Sequence, residues 1–311
     1  MEIPYYPGCT LKIKAMALDQ STVAAFGALG VSLKELPRWT CCGAVYPLTA
    51  KKIAGLAAPI RILREAKMMG SDTVVTACAF CYNVLKRANK DFAADPLRKK
   101  RINAYLADDV RVDEATGEKI REWPEYAGAE DVKVLHLLEL LRDRIGFQKI
   151  PVRKPLGGLR VAPYYGCQLV RPRKDHQDVE QPQFFEELLS ALGAAPIRCI
   201  TKLRCCGASL IVTNRKAALA MVHTLLQDAV DHRAEVIATV CPLCQINLEC
   251  YQNQANREFG TKLSVPVLYF TQLMGLALGI PPKRLGFGRE IVSIPRTLLH
   301  GEKKEVAAHA R

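Results

Sequence analysis

Residues 74–81 (VVTACAFC) return later in the chain as residues 237–244 (IATVCPLC). Both copies begin with a short run of apolar and β-branched residues, which is typical of a buried strand. Both end in two cysteines separated by two residues, and a helix is expected to begin at that pair. The recurrence predicts that the chain contains the same structural unit twice.

Two further motifs precede the cysteine pair in each copy. Residues 5–9 (YYPGC) return as residues 164–167 (YYGC), and residues 41–43 (CCG) return as residues 205–207, with alanine next in both copies. The matching cysteines of the three motifs are 158, 164 and 163 residues apart. This near-constant offset indicates a duplicated domain.

The domain boundaries follow from this offset. The joint falls near residues 151–160, a basic stretch that contains proline and glycine. The sequence therefore predicts a first domain over residues 1–150, a second domain over residues 151–290 and a basic C-terminal tail over residues 291–311. The first domain carries a charged insertion over about residues 92–131 that the second lacks, and we expect it to be a surface excursion.

Strands and helices alternate in each copy. Short apolar runs closed by turn residues predict strands, whereas longer runs with helical apolar spacing predict helices. The predicted strands are 3–8, 31–36 and 73–76 in the first copy and 159–166, 196–200 and 236–239 in the second, and the predicted helices include 15–29 and 179–193. This alternation predicts an α/β fold with two tandem pseudo-symmetric domains, each a small, largely parallel sheet with flanking helices. The cysteines fall at the carboxyl ends of strands, where open α/β sheets bind ligands.

The composition is that of a folded protein with a positive net charge. Of 311 residues, 49% are hydrophobic and 24% are charged, which excludes a disordered chain and a coiled coil. Lysine and arginine outnumber aspartate and glutamate by 44 to 31, and the resulting net charge of +13 suits an anionic partner or a bound anionic cofactor. Charge alone does not indicate nucleic acid, and we expect no nucleic-acid partner.

The sequence predicts a cytoplasmic location. The first residues (MEIPYYPGCTLK) lack the basic and apolar regions of a secretory signal. The longest charge-free stretch lies between Lys262 and Lys283 and is interrupted by Pro266, Pro281 and Pro282. We therefore expect no transmembrane segment. In the reducing cytoplasm, clustered cysteines are metal ligands or redox groups more often than disulfides.

Ten of the twelve cysteines belong to the repeat, with five thiols in each copy. A thioredoxin-like site would use only the Cys-x-x-Cys pair and leave the other three thiols without a role. A structural zinc site needs four ligands, whereas each copy offers five thiols. Zinc in one motif stays an alternative. An iron–sulfur cluster accommodates the five thiols best, because its several iron atoms let adjacent cysteines reach different metal positions. The thiols are Cys9, Cys41, Cys42, Cys78 and Cys81 in the first copy and Cys167, Cys205, Cys206, Cys241 and Cys244 in the second.

The spacing of these cysteines resembles a known family. The order Cys-x31-Cys-Cys-x35-Cys-x2-Cys, followed by Cys-x37-Cys-Cys-x34-Cys-x2-Cys, resembles the double CCG domain. With the tyrosine-rich opening before Cys9, the chain is similar to the B-type subunit of heterodisulfide reductase over about residues 1–290. The resemblance implies two tandem CCG domains in which the ten repeat cysteines hold two noncubane [4Fe-4S] clusters. It further implies a catalytic subunit that reduces a small disulfide substrate between the two clusters, or forms it in reverse.

The resemblance also implies a complex. The sequence contains no Gly-x-Gly-x-x-Gly motif, so we expect no flavin or NAD in this chain and electrons that arrive from partner subunits. The partners implied by the family are a ferredoxin-like iron–sulfur subunit (the C-type) and a flavin-containing subunit (the A-type). The alternative function is an iron–sulfur electron-transfer subunit of a flavin- or quinone-linked oxidoreductase. A zinc-stabilised scaffold is a third hypothesis.

Three residues outside the motif have reactive side chains. Cys199 and Cys250 are predicted to be buried apolar thiols. His176 lies in a basic loop and is a candidate proton donor, although a surface histidine is the simpler interpretation. Beyond these, the paired tyrosines at residues 5–6 and 164–165 are predicted to pack in strands.

The basic run RKKR at residues 98–101 lies within the insertion. Runs of like charge on a helix usually face solvent, so a solvated helix face is expected here rather than a specific anion site. The tail from Lys283 to Arg311 is also basic and is expected to be a docking arm or mobile.

Overall fold

Two four-stranded parallel sheets form the framework of the protein. The computed structural model describes residues 1–44, 52–107, 111–112, 117, 119–120, 125–171, 180–295 and 298–299. The two sheets have equivalent strand orders, and helices connect the strands of each. The predicted α/β fold with two similar halves is therefore confirmed.

The first sheet uses strands from residues 2–136. The strands of this half are β1 (Glu2–Tyr5), β2 (Ser32–Glu35), β3 (Thr73–Thr76), β4 (Arg111–Val112), β5 (Lys119–Ile120) and β6 (Lys133–His136). Its helices are α1 (Cys9–Ile13), α2 (Met16–Ala28), α3 (Lys52–Met68), α4 (Ala79–Ala93), α5 (Pro96–Ala107) and α6 (Leu137–Leu140). The order in the sheet is β2-β1-β3-β6 with all neighbours parallel, and β4 and β5 form a separate antiparallel pair.

The second sheet repeats this arrangement. Its strands are β7 (Arg160–Tyr164), β8 (Ala195–Pro196), β9 (Val236–Thr239) and β10 (Val267–Tyr269). Its helices are α7 (Phe184–Ala191), α8 (Arg215–Asp231), α9 (Pro242–Cys250), α10 (Gln252–Phe259) and α11 (Phe270–Ala277). The order is β8-β7-β9-β10, again parallel throughout. Strand by strand, β7, β8, β9 and β10 correspond to β1, β2, β3 and β6.

Two predicted elements of the second half are shorter than expected. The strand predicted over residues 196–200 ends at Pro196, and residues 200–203 form turns. The helix predicted from residue 179 begins at Phe184. The segment before it is held outside the helix because the Pro182 carbonyl accepts hydrogen bonds from the Tyr165 hydroxyl, at 3.1 Å, and from Lys202 Nζ, at 2.6 Å.

The insertion of the first half is not confined to the surface. Ile102 and Leu106 of α5 are fully buried, and α5 packs against α3. The buried Arg64 guanidinium donates to the Leu106 carbonyl at 2.7 Å. The expectation of a surface excursion is therefore wrong for α5, because its apolar face completes the core beside α3. Lys100 and Arg101 on its other side are exposed, as predicted for the basic run.

The two halves share one hydrophobic core. Helix α2 of the first half packs against α11 of the second, and the Ser21 and Thr271 hydroxyls meet there at 2.6 Å. His136 Nε2 lies 3.1 Å from the Val240 carbonyl, which also accepts a 3.3 Å hydrogen bond from the Ala79 backbone N–H. These contacts bring the carboxyl ends of β3 and β9 close to each other.

The beginning of the C-terminal tail is packed rather than free. The backbone N–H groups of Ile291 and Val292 both donate to Glu249 Oε1 at 2.9 Å. The expectation of a mobile tail from Lys283 is therefore wrong at its start, where Leu285 is buried and the backbone of Ile291 and Val292 is bound. Residues 300–311 lie outside the described residues. In the described part of the chain, no helix has both the length and the apolar character needed to cross a bilayer.

Candidate functional site

The first set of cysteines lies at the carboxyl ends of three neighbouring strands. Cys9 begins α1 shortly after β1, and the Cys41–Cys42 pair follows β2. Cys78 is the N-cap of α4 just after β3, and Cys81 lies in the first turn of that helix. Because the strands are parallel and adjacent, their carboxyl ends lie side by side, and all five thiols meet at this end of the sheet.

The sulfur atoms of this set lie at distances typical of shared metal ligation. Cys9 Sγ and Cys41 Sγ are 3.9 Å apart, and the Cys81 backbone N–H donates to Cys78 Sγ at 3.4 Å. Hydrogen bonds from the Cys41 and then the Cys81 thiols lower the pKa of Cys42 to about 4. Two thiolates bound to one metal at about 2.3 Å in tetrahedral geometry lie about 3.8 Å apart. The set thus offers adjacent sulfurs at ligand spacing and one thiol that readily gives up its proton.

The second set repeats the first. Cys206 Sγ and Cys244 Sγ are 3.5 Å apart, and the Gly207 backbone N–H donates to Cys205 Sγ at 3.3 Å. Hydrogen bonds from the Cys167 and then the Cys206 thiols lower the pKa of Cys205 to about 2. Like Cys78, Cys241 is the N-cap of its helix. Both halves therefore build a five-thiol set on the same elements.

A glycine before the first cysteine leaves room for the helix thiol in each set. A β-carbon at Gly8 would lie 2.9 Å from Cys81 Sγ, and one at Gly166 would lie 3.2 Å from Cys244 Sγ. Both residues have a positive φ, at 77° and 65°, which L side chains rarely adopt. Glycine is required at these positions because backbone and sulfur approach each other directly.

A buried tyrosine holds the loop that carries the adjacent pair. The Tyr6 hydroxyl donates to the Thr40 carbonyl at 2.9 Å, and the Tyr164 hydroxyl donates to the Arg204 carbonyl at 2.7 Å. Each carbonyl belongs to the residue just before the two cysteines. Burial, followed by the nearby thiols, raises the pKa of both tyrosines, so they stay protonated and donate. Tyr6 thus corresponds to Tyr164. The sequence alone could not show which tyrosines are equivalent, because each copy has two in a row.

The two cysteine sets meet at the interface between the halves. Cys78 and Cys241 approach each other there, because the Ala79 N–H, next to Cys78, donates to the carbonyl of Val240, next to Cys241, at 3.3 Å. Each cysteine is only 2% exposed. Hydrogen bonds from Cys244 and then from Cys78 lower the pKa of Cys241. Water is therefore excluded from the place where the sets approach each other. The sequence did not predict this contact, since it depends on how the two halves pack.

The remaining candidates divide between buried, exposed and undescribed residues. Cys199 is buried as predicted, and burial raises its pKa to about 12. Cys250 is exposed, so the prediction of a buried thiol is wrong. It lies six residues after Cys244 on α9 and therefore points to another side of the helix, about 120° away. His176 lies outside the described residues.

The donor set suits a multi-metal group better than one ion. Within the residues that the structure describes, no three His, Cys, Asp or Glu side chains are arranged to hold a single metal ion. Each half instead offers five thiols with sulfur pairs at 3.9 Å or 3.5 Å. Thiolates are the usual ligands of iron–sulfur clusters, whose iron atoms are spread over several positions.

Comparisons with known proteins agree with this arrangement. The family described as the cysteine-rich domain CCG matches residues 3–86 and again residues 161–249. The 8-methylmenaquinol:fumarate reductase membrane anchor subunit of Wolinella succinogenes is 34% identical over 94% of this chain and 97% of its own length. The B-type subunit of the ferredoxin/F(420)H(2)-dependent CoB-CoM heterodisulfide reductase of Methanosarcina acetivorans is 31% identical over 94% of both chains.

A solved structure shares the fold. A hypothetical protein from Helicobacter pylori superposes with a TM-score of 0.72 at 14% identity and covers 95% of this chain. This chain spans about half, 52%, of that protein's chain.

Proposed function

Because this chain belongs to the CCG family of cysteine-rich domains, we propose that it is the catalytic iron–sulfur subunit of a heterodisulfide reductase-like complex. The observation that carries the proposal is that two complete five-thiol sets approach each other at Cys78 and Cys241, the buried N-caps of α4 and α9, where the Ala79 N–H donates to the Val240 carbonyl at 3.3 Å. The similarity to the B-type subunit of heterodisulfide reductase, at 31% identity over nearly the whole chain, supports the same activity.

Each thiol set would hold one noncubane [4Fe-4S] cluster through its five cysteines. Bound there, a cluster supplies single electrons at a buried position. The chain's own residues shape the site that would hold each cluster. Gly8 and Gly166 leave space beside the helix thiols, and Tyr6 and Tyr164 fix the loops of the adjacent pairs. Zinc in one motif stays the alternative to a second cluster.

The proposed reaction consumes two electrons. The sulfur–sulfur bond of a small disulfide breaks, and two electrons and two protons convert its halves into two thiols. The electrons come from partner subunits, which we propose to be a ferredoxin-like iron–sulfur subunit and a flavin-containing subunit. The contact of the two sets at one interface supports a substrate position between them, where each half faces one sulfur.

A thiol-binding experiment tests this function. Oxidised protein, purified without oxygen, is mixed with small thiols such as coenzyme M and examined by electron paramagnetic resonance. We expect a new signal that depends on the thiol and broadens when the protein contains the magnetic isotope of iron. No thiol-dependent signal with any candidate thiol would overturn the disulfide-reducing role.

A second function is favoured by one specific observation. The 34% identical relative is the membrane anchor subunit of a quinol:fumarate reductase, which fits an electron-transfer subunit in a quinone-linked complex. In that role the two sets would relay electrons in series, and no thiol would bind. Rapid oxidation of the reduced protein by a menaquinone analogue, together with the absence of the thiol signal, would support this alternative.

A further inference from the structure

The two halves differ at one pair of equivalent grooves. In each half the groove lies between the helix that follows the Cys-x-x-Cys pair and the strand at the sheet edge. The edge strands are β6 and β10, each of which pairs with one neighbour only in the described sheets. Their surroundings correspond closely: Asn89 donates to the Val132 carbonyl at 2.9 Å, and Gln252 donates to the Val265 carbonyl at 2.7 Å.

In the second half this groove is filled by the protein itself. Residues 285–292 run across it: Gln272 Nε2 donates to the Leu285 carbonyl at 3.3 Å, and Glu249 accepts from the N–H groups of Ile291 and Val292 at 2.9 Å. Phe287 also packs against the core. A segment of this chain therefore covers the second groove.

In the first half the equivalent groove is an open cavity of about 1100 Å³. Lys86 lies eight residues after Cys78, as Glu249 does after Cys241, and Glu139 stands where Gln272 stands, third in the helix after the edge strand. Both Lys86 and Glu139 line the cavity. The positions that hold the covering segment in one half thus border a cavity in the other.

The walls of this cavity are strongly cationic. Among the described lining residues, the basic side chains are Lys86, Arg87, Lys90, Lys133, Arg142 and Arg171, of which Lys86 also donates to the Tyr82 hydroxyl at 2.7 Å. The acids among the described lining residues are already engaged: Glu139 accepts from the Tyr82 hydroxyl at 2.8 Å and from the His136 backbone N–H at 3.0 Å, and Asp143 pairs with Arg142 at 2.5 Å. The apolar floor of the cavity is formed by Val134, Leu135 and three alanines.

We propose that the groove between α4 and β6 binds an acidic segment of a partner polypeptide. The filled groove of the second half supports a peptide as the occupant, because side chains of the same site there bind backbone groups of Leu285, Ile291 and Val292. The exchange of Glu249 for Lys86 reverses the charge that the occupant meets. The partner segment therefore presents carboxylates, alternating with apolar side chains that reach the floor.

A peptide-binding experiment with a matched pair of variants tests the proposal. The probe is a fluorescein-labelled peptide of alternating glutamate and valine, as long as residues 285–292, and binding is followed by fluorescence anisotropy. We expect saturable binding that weakens at least about tenfold in the double variant Lys90→Glu/Lys133→Glu. The double variant Lys100→Glu/Arg101→Glu on α5 makes the same change in net charge outside the groove and should change binding less than about twofold.

Hydrogen exchange locates the bound peptide, and thermal melting checks that both variants fold. Protection of backbone amides in α4 and β6 supports the proposal. Equal weakening in the two double variants would mean diffuse charge attraction and would overturn it. Citrate that binds as tightly as the peptide would also overturn it in favour of a small-anion pocket. Neither measurement requires bound clusters or turnover, so failure here is distinct from failure of the proposed function.

Discussion

At the scale of single residues, Gly8 sets how closely the backbone approaches a helix thiol. A β-carbon there would lie 2.9 Å from Cys81 Sγ, closer than a carbon and a sulfur can pack. Gly30 also has a positive φ, 72° against 77°, but a β-carbon there meets nothing within 4 Å. Gly30 is therefore a control for alanine at positive φ without crowding of the thiol set.

We expect Gly8→Ala to lower the iron content of the purified protein, whereas Gly30→Ala keeps it. Both changes place alanine at positive φ and should destabilise the fold, more so at Gly8, whose ψ of 162° lies in a region that is essentially restricted to glycine. Only Gly8→Ala also displaces Cys81 from the other thiols. Iron analysis beside thermal melting measures the two effects separately, and equal iron in both variants would contradict the role given to Gly8.

The adjacent cysteines give a second prediction at this scale. Replacing Cys42 or Cys206 by alanine removes one thiol from one set, so about half of the iron should be lost and turnover abolished. Cys250→Ala is the control, because this thiol is exposed and lies outside both sets. Iron analysis and activity of the complex measure the result. Full iron in Cys42→Ala would remove this residue from the proposed ligands.

At the scale of elements, α5 is an addition to the first half that became part of its core. We expect Leu106→Ala to destabilise the protein by about 2–5 kcal/mol, because a fully buried leucine leaves a cavity between α5 and α3. Leu97→Ala on the same helix should cost little, since this side chain is 58% exposed. Urea denaturation of the two variants makes the comparison. Equal costs would mean that α5 folds independently of α3.

The elements also indicate how far the sequence could predict the structure. The strands Thr73–Thr76 and Val236–Thr239 have the predicted bounds, because a buried parallel strand is a short apolar run with sharp ends. The burial of α5 was missed, since its many charges hide the few apolar residues that face α3. The Cys78–Cys241 contact could not be predicted, because it depends on packing between halves rather than on any local pattern. The domain bounds near residues 150 and 290 stay predictions.

At the scale of the whole molecule, the duplication predicts the metal content. Two equivalent five-thiol sets should give about eight iron and eight acid-labile sulfide per chain in protein purified without oxygen. Metal and sulfide analysis of the full chain is sufficient. Stoichiometric zinc with half of this iron would mean that one set holds zinc instead.

The chain should also depend on partners for its electrons. The sequence has no dinucleotide-binding motif, so we expect the isolated protein to take electrons from a reduced viologen dye but not from NADH. Anaerobic spectrophotometry with each donor measures the rates. Fast turnover of the isolated protein with NADH would contradict this division of labour.

The filled groove of the second half has a consequence for stoichiometry. A duplicated protein begins with two copies of every docking face and could hold two identical partners, one on each half. Residues 285–292 close one of these faces with the chain's own backbone. A segment that binds the remaining groove can therefore do so only once per chain. The two similar halves are thus distinguishable to a partner, and the partner docks on the first half alone.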